Sequence, residues 1–142
     1  MRRKRILIID NDVAELLRAQ EVLEGDGYEV FSHTRAYSAT EIARQLRPDL
    51  ILLDVNRRNL TGEKLHAVLR ANDETRDIPV VFWSSDGEEA LRASAKRFGA
   101  RGYVVKGSVA LLRHCVARLA GEENPDQVFG TSRQNGEGGA TW

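Results

Sequence analysis

The fold follows most directly from one stretch of the chain, Asp49-Leu50-Ile51-Leu52-Leu53-Asp54. Its four consecutive apolar residues predict a short buried strand. The run ends in a carboxylate eight residues before Gly62, so Asp54 is predicted to lie where a buried strand reaches solvent. The functional interpretation of the sequence begins at this position.

Polar side chains also follow three other apolar runs. They are Asp10-Asn11-Asp12 after Ile6-Leu7-Ile8-Ile9, Ser84-Ser85 after Val80-Val81-Phe82-Trp83, and Lys106 after Tyr103-Val104-Val105. In an open parallel α/β sheet, ligands bind outside the carboxyl ends of the strands. We therefore predict that two acids, a hydroxyl and an ammonium group converge in one small polar pocket.

Short apolar runs alternate five times with longer amphipathic segments, which predicts βαβ units and a parallel sheet. The strands are predicted to begin near Arg5, Glu29, Leu50, Pro79 and Gly102. Capping-box patterns predict the starts of helices one, two and four, and a serine precedes helix five. The residues at these helix starts are Asp12, Ser38, Asp86 and Ser108.

Helical spacing separates buried from exposed positions. It predicts apolar stripes on helix one, at Val13, Leu16, Leu17 and Leu23, and on helix three, at Leu65, Val68 and Leu69. Cys115 shares the apolar face of helix five and is predicted to be a core thiol. The histidines have no metal-ligand spacing, so His33, His66 and His114 are predicted to be surface or boundary residues.

The composition predicts one globular domain. The chain has 142 residues, which is near the commonest domain size. Basic and acidic residues are equal at 21 each, which argues against a general attraction to nucleic acid or to an anionic membrane. The single cysteine excludes an internal disulfide, so a cytoplasmic location is predicted. We predict a domain over residues 1–120 and a flexible tail over residues 121–142, where glycines are frequent and apolar residues few.

Four blocks of this sequence, in their order and spacing, resemble the signature blocks of response-regulator receiver domains, the CheY-like family. The blocks are residues 6–12, 48–62, 78–85 and 99–106. The resemblance implies a doubly wound α/β fold of the flavodoxin-like type, with five parallel strands in the order 2-1-3-4-5 and five helices. It covers about residues 4–120 of the chain.

The resemblance also implies a chemistry for the strand ends. Asp54 would accept a phosphoryl group from a histidine kinase, and Lys106 and Ser84 would assist the transfer. Ser84 and Tyr103 would then act as the switch that changes the surface of the protein. Such a receiver catalyses only its own phosphorylation and dephosphorylation, and is not a conventional enzyme.

A Mg²⁺ site belongs to the same resemblance. Its implied ligands are Asp10, Asn11, Asp54 and the main-chain carbonyl of Asn56. Physical chemistry gives an independent reason, because crowded carboxylates raise each other's pKa unless a divalent cation with oxygen ligands compensates them. Each of these roles has a simpler alternative. Asp10 could merely cap helix one, although Asp12 is better placed to do so. Lys106 could be a solvated cation in a loop.

Several residues depart from the family pattern. Asn11 stands where the family usually has a second adjacent acid, so metal affinity is predicted to be weaker. Arg57-Arg58 adds positive charge after Asp54, and Gly107 replaces a frequent proline after Lys106. Asn56 and Asp86 occupy the positions that tune dephosphorylation in relatives, and we predict a short-lived acyl phosphate.

The leading hypothesis is a stand-alone receiver of a two-component phosphorelay, acting as a monomer or weak dimer. Its partners would be a histidine kinase or phosphotransfer protein and an unknown downstream protein, without direct contact to nucleic acid or membrane. The alternative is a pseudo-receiver, a protein-binding module that works without phosphorylation, and Asn11 is the reason to consider it. A metal-dependent phosphatase is less favoured because no cap or substrate-binding insertion is visible in the sequence.

Overall fold

The structure, a computed structural model, describes residues 2–55 and 61–121, apart from the side chain of residue 37. Asn56, the Arg57-Arg58 pair and the predicted tail beyond residue 121 lie outside the described residues.

Strands and helices alternate along the described chain. The strands are β1 (Arg5–Ile9), β2 (Glu29–His33), β3 (Leu50–Asp54), β4 (Val80–Ser84) and β5 (Gly102–Val105). The helices are α1 (Val13–Gly25), α2 (Ala39–Leu46), α3 (Thr61–Ala71), α4 (Glu88–Phe98) and α5 (Val109–Ala120), and a 3₁₀ turn, Ala36–Ser38, precedes α2. Four strands begin where predicted. The fourth, β4, begins one residue after Pro79, because proline has no N–H to donate to a sheet ladder.

The strands form one parallel sheet in the order β2-β1-β3-β4-β5. In its register, Ile9 pairs with Leu53, and Asp54 pairs with Trp83. The carboxyl ends of neighbouring strands therefore meet along one edge of the sheet. The predicted doubly wound α/β fold, with strand order 2-1-3-4-5 and five helices, is confirmed.

Each face of the sheet is covered by its own hydrophobic cluster. On β1, Ile6 and Ile8 pack with α1 and α5, whereas Leu7 and Ile9 pack with α2, α3 and α4. Cys115 lies in the first cluster, and burial raises the pKa of its thiol to about 12, as expected of a core thiol. Within residues 2–55 and 61–121, no helix is long and apolar enough to span a lipid bilayer.

Three of the four predicted helix starts are confirmed, and two of the three capping residues bond to the helix through their side chains. Asp12 caps α1 by accepting a hydrogen bond from Glu15 N at 3.2 Å, and Ser108 caps α5 in the same way. Ser38 is the N-cap residue of α2 as predicted, but its hydroxyl pairs with His33 Nε2 at 2.6 Å and makes no cap bond. The prediction for Asp86 is wrong: its main-chain N–H donates to Ser84 Oγ, and α4 begins after Gly87.

The apolar stripes are narrower than predicted, and one histidine is buried. Val13, Leu17 and Val68 are half exposed, so they lie outside the buried faces of α1 and α3. His66 is only 2% exposed, and its ring packs nearly perpendicular to that of Phe82, with 5.1 Å between ring centroids. The prediction of a surface or boundary position for His66 is therefore wrong. Its spacing of three residues from Leu69 placed it on the buried face of α3.

Candidate functional site

Three charged side chains meet at the carboxyl edge of the sheet. Lys106 Nζ lies 2.8 Å from Asp10 Oδ2 and 3.0 Å from Asp54 Oδ1. The side chain of Asp10 is fully buried, that of Lys106 is 8% exposed, and that of Asp54 is 19% exposed. Groups at three strand ends far apart in the chain thus form one compact cluster beside the solvent.

The backbone holds this cluster in place. Asp10 N donates to His33 O at 3.1 Å, and Lys106 N donates to Ser84 O at 2.7 Å. Both bonds continue the parallel ladders one residue past the strand ends. Asp10 Oδ1 also accepts a hydrogen bond from Asp12 N at 2.9 Å, which orients its carboxylate while Asp12 caps α1. Asp12 is therefore a cap and Asp10 is not.

The electrostatics of the cluster follow from crowding and burial. Burial, and then the negative charge of Asp10, raise the pKa of Asp54 to about 6 in spite of its ion pair with Lys106. Burial alone would lower the pKa of Lys106, but the hydrogen bonds and charges of the two carboxylates outweigh it and raise that pKa. Lys106 is therefore protonated at neutral pH, and one ammonium faces two acids.

The same cluster has the properties of a site for a hard cation. Asp10 Oδ2 is buried and, apart from its ion pair, accepts no hydrogen bond of normal geometry from a described residue. A cavity of about 130 Å³ opens beside it, and Asp10, Asn11 and Asp54 are among its lining residues. The described residues contain no group of three Asp, Glu, His or Cys side chains that could hold a metal. A cation here would therefore rely on two carboxylates, neutral oxygens and water, which suits Mg²⁺.

Gly62 shapes the floor of this cavity. A Cβ atom at Gly62 would collide with the main-chain oxygen of Asp54 and lie 2.9 Å from Val55 Cγ1. Only a residue without a side chain lets the first turn of α3 pack against the end of β3. This close approach explains why a glycine stands eight residues after Asp54 in the sequence.

The predicted switch residues lie on β4 and β5. Ser84 is 2% exposed, and its Oγ accepts a hydrogen bond from Asp86 N at 2.9 Å, so its hydroxyl proton remains to be donated. Tyr103 is buried, and its hydroxyl donates to Glu88 Oε2 at 3.2 Å and accepts from Arg92 Nε at 3.1 Å. The hydroxyl of Tyr103 is thus attached to α4. Two further residues were predicted as Mg²⁺ ligands. Asn11 lines the cavity, and Asn56 lies outside the described residues.

The sequence interpretation missed two contacts. Lys106 Nζ lies over the ring of Trp83, 4.7 Å from its centroid. The alternation of β4 was a usable signal, since it places Trp83 on the face opposite Phe82, beside the strand that leads to Lys106. The attachment of Tyr103 to Glu88 and Arg92 had no such signal, because it depends on how α4 lies against β5.

A parallel sheet of this order, with two acids and a lysine at its carboxyl edge, is the arrangement of a phosphoacceptor signalling domain. Residues 6–116 match the response regulator receiver domain family, and the chain belongs to that family. The predicted function, a receiver domain of two-component response regulators, is confirmed at this level, and the pseudo-receiver alternative is not favoured.

Three known proteins illustrate the relationship. The chain is 33% identical over 119 residues to protein PilH of Pseudomonas aeruginosa, covering 82% of this chain and 98% of PilH. Its fold is similar to that of chemotaxis response regulator CheY4 of Vibrio cholerae, with a TM-score of 0.74 and 23% identity over 83% of this chain and 99% of that chain. It is also similar to the receiver domain of sensor histidine kinase PA1611 from Pseudomonas aeruginosa, with a TM-score of 0.75 and 22% identity over 85% of this chain and all of that chain. The PA1611 structure has a magnesium ion coordinated in the active site cleft.

Proposed function

We propose that Asp54 is the phosphoryl acceptor of this receiver domain, and that its donor is a cytoplasmic histidine kinase or phosphotransfer protein. The observation that carries the proposal is the Lys106 ammonium, held 3.0 Å from Asp54 Oδ1 and 2.8 Å from Asp10 Oδ2. It fixes a positive charge next to the oxygen that would attack phosphorus. Preorganised charge of this kind stabilises a transition state without reorganisation at the moment of reaction.

The transfer is an in-line displacement. An ionised Asp54 oxygen attacks the phosphorus of a phosphohistidine on the side opposite the imidazole nitrogen. A P–O bond forms while the P–N bond breaks, and the electron pair of the broken bond stays on the imidazole. The pKa of about 6 leaves Asp54 mostly ionised at neutral pH, as the attack requires.

Lys106 and Ser84 assist the transfer from two sides. The Lys106 ammonium would pair with an equatorial phosphoryl oxygen, exchanging one carboxylate contact for it. The Ser84 hydroxyl, whose proton is not used in its bond with Asp86 N, would donate a hydrogen bond to a second equatorial phosphoryl oxygen. In dephosphorylation, water attacks phosphorus, the bond to Asp54 breaks, and inorganic phosphate leaves. We propose that the acyl phosphate is short-lived, with Asp86 near the entry of that water.

We further propose that Asp10, Asn11 and Asp54 hold Mg²⁺, together with the main-chain carbonyl of Asn56. The buried Asp10 Oδ2 and the cavity between β1 and β3 support this assignment. When bound, the ion neutralises negative charge on the phosphoryl oxygens. Asn11 contributes a neutral oxygen in place of a carboxylate, so the site binds Mg²⁺ more weakly than one with a second acid at that position.

The output surface in this proposal is formed by α4, β5 and α5. A phosphoryl group on Asp54 would draw the Ser84 hydroxyl toward it, which changes the packing around Tyr103. Tyr103 is joined to α4 through Glu88 and Arg92, so a change in its position moves charged groups on the surface. A downstream protein that contacts this surface would then distinguish the two states.

Mass spectrometry after treatment with acetyl phosphate and Mg²⁺ tests the proposal. We expect one phosphoryl group on the natural chain and none on Asp54→Asn. Asp77→Asn is a matched control, because Asp77 is an exposed carboxylate before the opposite end of β4 and its loss should change nothing. Lys106→Met should slow labelling at least about a hundredfold, as the loss of one preorganised charge does in other sites. A phosphoryl group mapped to any other residue would refute the assignment.

A further inference from the structure

We propose that Trp83 is a positioning residue for Lys106: its indole face holds the ammonium by a cation–π contact at the place where it faces both carboxylates. The inference rests on the proposed phosphoacceptor function and adds to it a residue that does not touch the phosphoryl group. Lys106 Nζ lies 4.7 Å from the Trp83 ring centroid, well inside the range of a cation–π interaction.

The sheet makes Trp83 a rigid support. Trp83 pairs with Asp54 on one side and with Val104 on the other. Its side chain is 3% exposed and belongs to the hydrophobic cluster under α1 and α5. The ring therefore has a fixed orientation, and it is attached to the same backbone ladder that carries the phosphoacceptor.

A lysine side chain needs such a support, because its long stem has many rotamers and its ammonium has no preferred direction. The two carboxylates attract Nζ from one side, and Asp10 is the more buried of the two. The aromatic face attracts Nζ from another side and excludes water there. With an aliphatic residue at position 83, the ammonium would pair closely with Asp10 and spend less time beside Asp54.

The cation–π contact between Lys106 and Trp83 contributes more free energy in this buried site than it would on an exposed surface. The Lys106 side chain is only 8% exposed, and cation–π contacts strengthen when the cation is desolvated. We expect that removing the aromatic face slows phosphorylation of Asp54 about tenfold, equivalent to about 1.4 kcal/mol of barrier. The Mg²⁺ concentration for half-maximal rate should change less than about twofold, because Lys106 is not a metal ligand.

The decisive test keeps the shape of the ring and changes its charge distribution. In the Trp142→Phe background, Trp83 is the only tryptophan, and it can be replaced by analogues with one, two and three ring fluorines. Each fluorine withdraws electron density from the face of the ring. The rate of Asp54 phosphorylation by acetyl phosphate should fall stepwise along the series, while every variant stays folded at the assay temperature. Equal rates along the series would overturn the inference while leaving the proposed function intact.

A second measurement locates the lysine without any phosphoryl donor. The ε-methylene protons of Lys106 should resonate upfield of those of other lysines because of the Trp83 ring current. Trp83→Phe should keep part of this shift and Trp83→Leu should abolish it, with rates of phosphorylation that follow the same order. Ordinary lysine shifts in the natural chain would overturn the inference even in a protein that phosphorylates normally. Failure of Asp54 to take a phosphoryl group, with the upfield shift present, would instead refute the proposed function.

Discussion

The buried ring of His66 should make the stability of this fold depend on pH. The residue is 2% exposed, and burial, followed by the positive charge of Arg70, lowers its pKa from 6.5 to about 4. The ring also borders a cavity of about 240 Å³ whose charged lining residues are Arg70, Arg76, Asp77 and Arg101. Cationic groups are in excess there, which disfavours a positive charge on the imidazole.

The sign of the effect follows from proton binding. Between about pH 6.5 and pH 4, the unfolded chain binds a proton at His66 that the folded protein does not bind, so protonation favours unfolding. The contribution of His66 to the free energy of unfolding is complete above about pH 6.5, decreases as the pH falls, and reaches its lowest value near pH 4. A lowering of the pKa from 6.5 to about 4 corresponds to a loss of roughly 3 kcal/mol over this interval.

Urea unfolding followed by circular dichroism at a series of pH values measures this loss. The control is His66→Leu, which keeps an apolar contact with Phe82 but does not titrate. Asp54 acts in the opposite direction, because its raised pKa lets the folded protein bind a proton first and gain stability as the pH falls through about 6. Subtracting the His66→Leu profile from the natural one removes that contribution. Parallel profiles for the two proteins would refute the reasoning.

Three further predictions concern residues around the site. Asn11→Asp should lower the Mg²⁺ concentration for half-maximal phosphorylation roughly tenfold or more, since it introduces a charged oxygen ligand. An unchanged Mg²⁺ requirement would contradict the assignment of residue 11 as a metal ligand. Glu63 is 5% exposed; its Oε2 accepts a hydrogen bond from Ser94 Oγ at 3.0 Å, and its Oε1 has no hydrogen-bond partner among the described residues. Glu63→Leu removes this buried carboxylate and should raise the free energy of unfolding in urea by roughly 1–2 kcal/mol. Ser94→Ala leaves the carboxylate without its donor and should lower that free energy by about the same amount. Changes of the same sign in the two variants would contradict the prediction. Arg92→Met should raise the pKa of Tyr103, because Arg92 favours the phenolate, and Glu88→Gln should lower it. An NMR titration of the Tyr103 ring measures both changes. If the two substitutions moved the pKa of Tyr103 in the same direction, the contacts of its hydroxyl with Arg92 and Glu88 would be contradicted.

Much of the architecture was predictable because local patterns and sheet topology agree. The apolar runs before Asp10, Asp54 and Lys106 are long enough for one buried strand each, and amphipathic segments of helical period separate them. Parallel strands connected by helices place all their carboxyl ends on one side. The meeting of Asp10, Asp54 and Lys106 could therefore be predicted from the order of the elements alone.

The errors of prediction have a common physical origin in packing. Ser38 matches a capping box, but its hydroxyl is taken by His33 from a neighbouring strand. Val13 and Leu17 have the spacing of a buried stripe, but α1 contacts the sheet along a narrower line. In both cases the outcome depends on how the helix lies against the sheet, which the local pattern does not contain.

The sequence by itself determined the parallel α/β fold, the edge at which the polar groups lie, and the identity of the acidic and basic groups there. These properties depend on hydrophobic periodicity and chain connectivity, which are local. Only the tertiary structure decided that Trp83 lies against the Lys106 ammonium and that Glu88 and Arg92 hold Tyr103. Those outcomes depend on distances of a few ångströms between elements, because ion pairs, cation–π contacts and desolvation all change steeply over that range.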